Sequence, residues 1–438
     1  MSNFVRGKLW ENVRAKQGEI AQPSSRRIRV MATLRPFRAL TPSPERASSV
    51  AAVPYDVVST QEARALAANN PLSFLHVSRA EMDLPDGTNP YADAVYERAA
   101  ANFDLLKREA PLRQDDRDHL YVYRLRREGH EQTGVAGVCS MAEYDDDTIR
   151  KHERTRPDKE DDRTRHMVTL RAQTGPVFLT YRDRREIDDA VARATAAPPL
   201  FDFTAPDGVG HTLWRLDPET SSRLSEEFRS VPLFYIADGH HRAASAARAR
   251  QQMRQQVPAG AAAQPADFFL GVLFPARQVA ILPYNRVVKD LGERSPEEFL
   301  TVLGERLSLA KGAPASPARR GDVSLYLGGR WYGLKLPASE TGDAIGSLDA
   351  ELLQRHVLDP VLGIRDVRTD KRIDFVGGIR GPAELERLVD SGRFAAAFSM
   401  FPVSLEELMT VSDAKEIMPP KSTWFEPKLR DGLLIHMI

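Results

Sequence analysis

The stretch Val231-Pro232-Leu233-Phe234-Tyr235-Ile236-Ala237-Asp238-Gly239-His240-His241-Arg242-Ala243-Ala244-Ser245-Ala246-Ala247 orders the rest of the chain around itself. An apolar run stops at Asp238-Gly239, presents two histidines and an arginine, and passes at once into an alanine-rich segment. That order predicts a strand, a tight turn and a helix. The first turn of a helix carries unpaired N–H groups and a partial positive charge, so this junction is a natural seat for phosphate or another anion. Gly239 would permit close backbone approach, Asp238 could cap the helix, and Arg242 offers a planar fork suited to phosphate or carboxylate.

Working outward, strand-like runs fall at Leu120–Leu125, Gly134–Met141, Pro176–Tyr181, Phe268–Phe274, Val279–Pro283 and Ser324–Leu327. The pair 268–274 and 279–283, joined by Pro275-Ala276-Arg277-Gln278, reads as a hairpin. Helix starts lie between the runs. Ser59 with Glu62 and Ser295 with Glu298 are capping boxes, Asn89-Pro90 opens a helix with Val95, Ala99, Phe103 and Leu106 on one face, and Ser347 and Ser404 open two more. Interspersed strands and helices predict a mixed α/β (α+β) fold, with a partly antiparallel sheet and flanking helices.

Lys+Arg 61 against Asp+Glu 61 leaves no global field to draw nucleic acid or an anionic membrane, so small molecules or proteins are the expected partners, with a homodimer left open. One cysteine, Cys139, rules out an internal disulfide and suits a reducing, cytoplasmic setting. No apolar run approaches the ~20 residues of a membrane helix. Residues 1–30 are basic and polar and read as a disordered extension, with Met31 a candidate start; a nucleic-acid-binding or targeting arm is the alternative. A core over 31–310 and a C-terminal α/β subdomain over 311–438 follow, with Gly312–Gly321 as linker.

Three further stretches carry chemistry. Arg150–His166 is almost devoid of apolar side chains. It mixes carboxylates able to hold Mg²⁺ or take a proton (Glu153, Asp158, Asp161, Asp162) with cations able to hold phosphate (Lys151, Arg154, Lys159, Arg163). Phosphoryl transfer needs both kinds; a solvated helix or loop needs neither. Asp56 in Val53-Pro54-Tyr55-Asp56 and His76 in Leu75-His76-Val77 sit among apolar residues, Asp56 as a turn cap or a site carboxylate, His76 as a hydrogen-bonded core histidine on a strand. Pro419–Lys428 reads as a rigid loop leading to Leu433-Leu434-Ile435, from which Lys421 or Ser422 could reach a pocket. The phosphate loop Gly-x-x-x-x-Gly-Lys-Ser/Thr, the His-Glu-x-x-His helix and the Cys-x-x-Cys pair are all missing from the sequence.

Taken in order, Arg35-Pro36-Phe37-Arg38-Ala39, Pro54-Tyr55-Asp56-Val57-Val58, Asn70–Val77, Arg150–Arg163, Asp238–Arg242 and Pro420–Lys428 resemble the bacterial and archaeal family known as domain of unknown function 1015. The Asp-Gly-x-His-Arg turn is also similar to the phosphate-binding turn of the ParB/sulfiredoxin superfamily, which includes CTP-binding partition proteins, ATP-using sulfiredoxins and free-serine kinases. Sulfiredoxin has a cysteine immediately before its His-Arg; His240 stands there, which speaks against sulfinic-acid repair.

The resemblance implies an ATP-dependent, Mg²⁺-assisted kinase acting on serine or a related hydroxyl compound. Gly239, His241, Arg242, Lys159 and Arg163 would bind the nucleotide; Asp238, His240, Glu153 and Asp56 would be catalytic; Glu153 and Asp162 would hold the metal. A nucleotide-binding regulatory protein without turnover, and a metal-dependent hydrolase using His240, His241, Asp238 and His152, are the alternatives.

Overall fold

The computed structural model describes residues 31–258, 260–339 and 342–438, and 31–438 form a unit of their own. The expectation for residues 1–30 lies outside the described residues. The fold is α/β, organised on a nine-stranded mixed sheet and a six-stranded antiparallel one.

In spatial order the larger sheet runs Ile149–Arg150, Phe234–Asp238, Val177–Tyr181, Phe268–Pro275, His130–Ser140, Tyr121–Arg127, Gly210–Arg215 and Phe201–Thr204, with Leu34–Arg35 also pairing with His130–Ser140. Two of its pairings are parallel, Phe234–Asp238 with Ile149–Arg150 and Val177–Tyr181 with Phe268–Pro275; the others are antiparallel.

The two-residue period of a strand divides its side chains between two cores. Phe234 and Ile236 enter one with Val177, Leu179, Phe269 and Leu273, while Tyr235 and Ala237 enter the other with Phe178, Leu270, Val272 and Phe274. Both faces are therefore dry, which is why these strands read as continuous apolar runs. Each buried Leu, Ile or Phe contributes roughly 1.5–3 kcal/mol of transfer free energy.

Helix His240–Arg254 covers the first face through Ala243, Ala246 and Ala249. On its other side lies Pro157–Leu170, close enough that Ser245 Oγ donates to the Glu160 carbonyl at 3.2 Å and Thr164 Oγ1 to the Ser245 carbonyl at 3.4 Å. The opposite face of the sheet is covered by helix Leu405–Asp413 and by the chain's last stretch, through Phe425, Leu429, Leu433 and Leu434.

The second sheet takes its strands from Tyr284–Val288 to Ala396–Met400, and Gly312–Gly321, expected as a linker, connects two of them. After it the chain returns: Trp424–Glu426 pairs with Ala280–Leu282, Asp431 bridges to Ala52, and His436–Met437 pairs with Ala172–Gln173.

That return corrects the expected hairpin. Phe268–Pro275 already has a neighbour on each edge, so Ala276–Gln278 turns the chain away and Ala280–Leu282 finds its partner far along the sequence. No helix among the described residues is long and apolar enough to cross a membrane.

Candidate active site

Strand Phe234–Asp238 ends at Gly239, whose φ of 92° and ψ of 30° place it in the left-handed region, and helix His240–Arg254 starts at the next residue. A side chain at Gly239 would be strained there, and its Cβ would stand 3.2 Å from the Arg242 Cζ. Glycine lets the guanidinium fold back over the turn. No side chain caps this helix, so Asp238 does not play the capping part expected of it; its carboxylate accepts from Lys428 Nζ at 3.2 Å instead. The uncapped first turn is left with its donors available to an anion.

Arg242 is 5% exposed. Its Nη1 donates to the Pro176 carbonyl, whereas Nε and Nη2 are buried without a hydrogen-bond partner. Asp238 and Asp56 lie 3.6 and 3.8 Å from Nη2, near enough to pair electrostatically and too far to hydrogen-bond. Burial works against the arginine's charge, but Asp56, Asp238 and Asp431 outweigh it and hold the group firmly protonated. Burial likewise opposes ionisation of Asp238, and Lys428 and Arg242 overcome it, keeping that carboxyl well below the usual range.

Asp431 is the opposite case. Burial, reinforced by Asp56 and only partly offset by Arg242, pushes it up to about 7. Its Oδ1 is buried without a hydrogen-bond partner and occupies the space a Cβ at Gly175 would need, so a side chain there would have to displace the Asp431 carboxylate.

The next layer is His152, Glu153 and His240. The His152 backbone N–H donates to His240 Nε2 at 3.3 Å, which leaves the proton on Nδ1, facing Glu153 Oε2 at 3.9 Å. The two rings meet edge to face, with centroids 4.4 Å apart. Burial, with His152 adding to it, drives His240 well below its ordinary value, and burial takes His152 down to about 4, so both are neutral near pH 7.

Glu153 is pushed up by burial, while Lys421 pulls the other way and Asp238 and Asp56 add to the rise. Lys421 is raised, against its burial, by Tyr284, Glu153 and Asp56. His152, Glu153 and His240 are also the group of three among the described residues whose ligand atoms fall within 4.8 Å of one another and could converge on a metal.

Of the residues singled out in the sequence, Asp56, Glu153, Asp238, Gly239, His240 and Arg242 thus come together. His241 is half-buried beside them, its Nδ1 without a partner, its pKa lowered by burial against the pull of Asp56 and Glu160. The other three have different company. Lys159 Nζ donates to Tyr91 Oη at 3.1 Å. Asp162 accepts from Tyr96 Oη at 2.9 Å and from Arg163 Nε at 2.8 Å. Arg163 lies over the Tyr55 ring at 4.3 Å and donates to the Ser78 carbonyl, bracing the Tyr55–Val57 turn that presents Asp56.

His76 is on the short helix Leu75–Ser78 rather than a strand, with Nδ1 2.9 Å from Asp83. Sequence reasoning missed Asp431 and the part taken by Lys428. The available signal was three charges in four residues, Lys428, Arg430 and Asp431, one glycine before the apolar Leu433-Leu434-Ile435.

A strand–glycine–helix junction on a mixed α/β sheet thus carries a buried arginine folded over an uncapped helix start. The family described as "Protein of unknown function (DUF1015)" matches residues 34–351, and the chain belongs to it. No curated protein matches the chain. Among solved structures, a free serine kinase in complex with AMP aligns at TM-score 0.34 and 14% identity, over 68% of this chain and 91% of that one. A conserved hypothetical protein from Pyrococcus furiosus aligns at 0.32 and 15%, over 68% and 93%. SbnI with C-terminal truncation from Staphylococcus aureus aligns at 0.35 and 12%, over 68% and 86%. At such identities and TM-scores, function has to be argued from the site itself.

Proposed function

We propose that this protein is an ATP-dependent phosphotransferase acting on a small hydroxyl compound, serine or a relative of it. The observation that carries the reading is the pair of orphaned donors on Arg242. A buried guanidinium with Nε and Nη2 unpaired is costly unless a ligand completes it, and it borders an uncapped helix start that favours anions. The choice of serine follows the similarity of the Asp-Gly-x-His-Arg turn to the free-serine kinases.

In this reading Gly239, His241 and Arg242 take phosphate oxygens, and His240, its Nδ1–H toward Glu153, orients that carboxylate. Lys428 and Lys421 balance the carboxylates around them. ATP supplies the activated phosphoryl group, and Mg²⁺, when bound, neutralises charge on its oxygens. Glu153 is the carboxylate free to meet the metal, since Asp162 is engaged by Tyr96 and Arg163. Asp56, 3.8 Å from Arg242 Nη2, is the base offered to the acceptor hydroxyl.

The test is ATP consumption and phospho-product formation, screened against L-serine, other hydroxyamino acids and simple sugars. Glu153→Gln should abolish turnover and leave nucleotide binding intact. ATP binding without turnover on any acceptor would leave a nucleotide-binding regulator.

A second reading, metal-dependent hydrolysis, is favoured by the cluster His152, Glu153 and His240. The tautomer weighs against it, because His240 already spends Nε2 on the His152 N–H and presents a proton, not a lone pair, at Nδ1. Stoichiometric transition metal in purified protein would reverse that judgement.

A further inference from the structure

A cavity of about 240 Å³ opens beside the second sheet, lined by Arg286, Gln354, Arg365 and Arg368, by the carboxylates Glu351 and Asp366, and by the segment Ile417–Pro420. Arg286 is 4% exposed, yet it makes no ion pair within 4.0 Å among the described residues. Its Nη1 donates to the Tyr284 carbonyl. Asp349, the carboxylate that acts on it from a distance, is committed to the Gly321 N–H at 3.0 Å. Glu351 pairs with Arg355 at 3.5 Å and no carboxylate reaches Arg286 within 4.0 Å among the described residues; a buried cation left so is expensive, and an incoming carboxylate would relieve that cost.

Gln354 supplies the second observation. Its Nε2 donates to the Ile364 and Arg365 carbonyls at 2.7 and 3.2 Å, while its Oε1 is buried with no partner. That oxygen calls for a donor. The backbone there is also unusual: Gln354–Leu358 winds as a π-helix, with Asp359 N–H bonding the Gln354 carbonyl at 3.0 Å and Leu362 N–H the Val357 carbonyl at 3.2 Å. Such wide turns are rare and recur at functional sites.

We propose that this cavity binds a small amino or hydroxy acid, its carboxylate on Arg286 and its adjacent N–H or O–H on Gln354 Oε1. A volume of about 240 Å³ lies below the ~300–1,000 Å³ of pockets that hold drug-sized ligands and suits a molecule of few heavy atoms. The site is independent of the reading given to the Gly239 turn. The two are neighbours, because Met418 lines the cavity and its N–H donates to the His152 carbonyl at 2.9 Å.

The test is calorimetric titration of the full chain with L-alanine, L-malate and inorganic phosphate. Saturable binding of L-alanine or L-malate is expected, weakened at least about tenfold by Arg286→Gln, as befits a charge-assisted contact, and by a smaller factor in Gln354→Leu. Arg242→Ala should leave this binding in place. Neither acid binding up to about 10 mM, phosphate alone binding, or equal affinity in a folded Arg286→Gln would each overturn the proposal. Should Arg286→Gln fail to fold, Gln354→Leu and Arg368→Ala decide: weakened binding supports the site, and unchanged affinity in both overturns it.

Discussion

Replacing Arg242 by alanine separates what the residue does for a ligand from what it does for the fold. Two unpaired donors meeting phosphate form charge-assisted hydrogen bonds, and losing such a contact costs about 1.5–3 kcal/mol, or roughly ten- to over a hundredfold in Kd. The fold pays separately. Removing the cation breaks the hydrogen bond to the Pro176 carbonyl and leaves Asp56, Asp238 and Asp431 facing one another, and uncompensated buried charge costs about 3–5 kcal/mol. Lys428 remains on Asp238, and the ion pairs at 3.6 and 3.8 Å are loose, so the lower end of that range is expected.

Two assays at about 0.15 M salt are needed: calorimetric titration with ATP and with ADP, and urea unfolding of the same preparation. Arg242→Lys keeps the charge and loses the fork, so it should recover stability more than affinity. Wild-type nucleotide affinity in an Arg242→Ala protein that still unfolds cooperatively would refute the assignment of this turn to phosphate.

Three further outcomes are expected. Gly239→Ala should lower stability by about 1–2 kcal/mol for its left-handed backbone and weaken nucleotide binding by pushing the guanidinium aside; an unchanged urea midpoint would contradict that φ. Lys428→Met should destabilise the protein by about 1.5–3 kcal/mol at pH 7. Because Asp238 has a depressed folded pKa, the stability it contributes is present above its unfolded value and lost as pH falls through the folded one, so the gap between wild type and Lys428→Met should close in strong acid. Burial holds His152, His166 and His436 down to about 4, below an unfolded value of about 6.5, so the unfolded chain binds more protons between those limits. Stability should be full above about pH 6.5 and fall as pH drops toward 4, by up to about 3 kcal/mol per histidine; urea midpoints that stay flat from pH 7 to pH 5 would contradict their burial.

What could be read in the sequence was what is decided over a few residues. Ser59 with Glu62, Ser295 with Glu298 and Ser404 with Glu407 all form reciprocal caps, because a serine and the glutamate three positions on meet within the first turn of any helix they open. The junction at Gly239 was legible for the same reason. Asp431 was not, since its place depends on a bridge to Ala52 and on a missing side chain at Gly175, neither of which leaves a local pattern. The hairpin failed similarly: two apolar runs a turn apart do not reveal that one already has both edges filled. Within Arg150–His166, residue type alone could not sort Glu153, which faces His240, from Asp162, which is held by Tyr96.

The return of the chain after residue 418 has a consequence for how the protein is made. Lys428 neutralises Asp238, Asp431 stands by Arg242, and Leu433 to Ile435 fill the main cores, yet all leave the ribosome long after the strand and turn they complete. A nascent chain stopped at Pro420 has its glycine turn and Arg242, but it holds Asp238 without its lysine and an open apolar trench where Leu433 and Leu434 belong. The site is therefore assembled only once this stretch has been made, and a product terminated before it should lack the completed site and be readily degraded, its defect exposed to the cell's proteases as uncovered apolar surface.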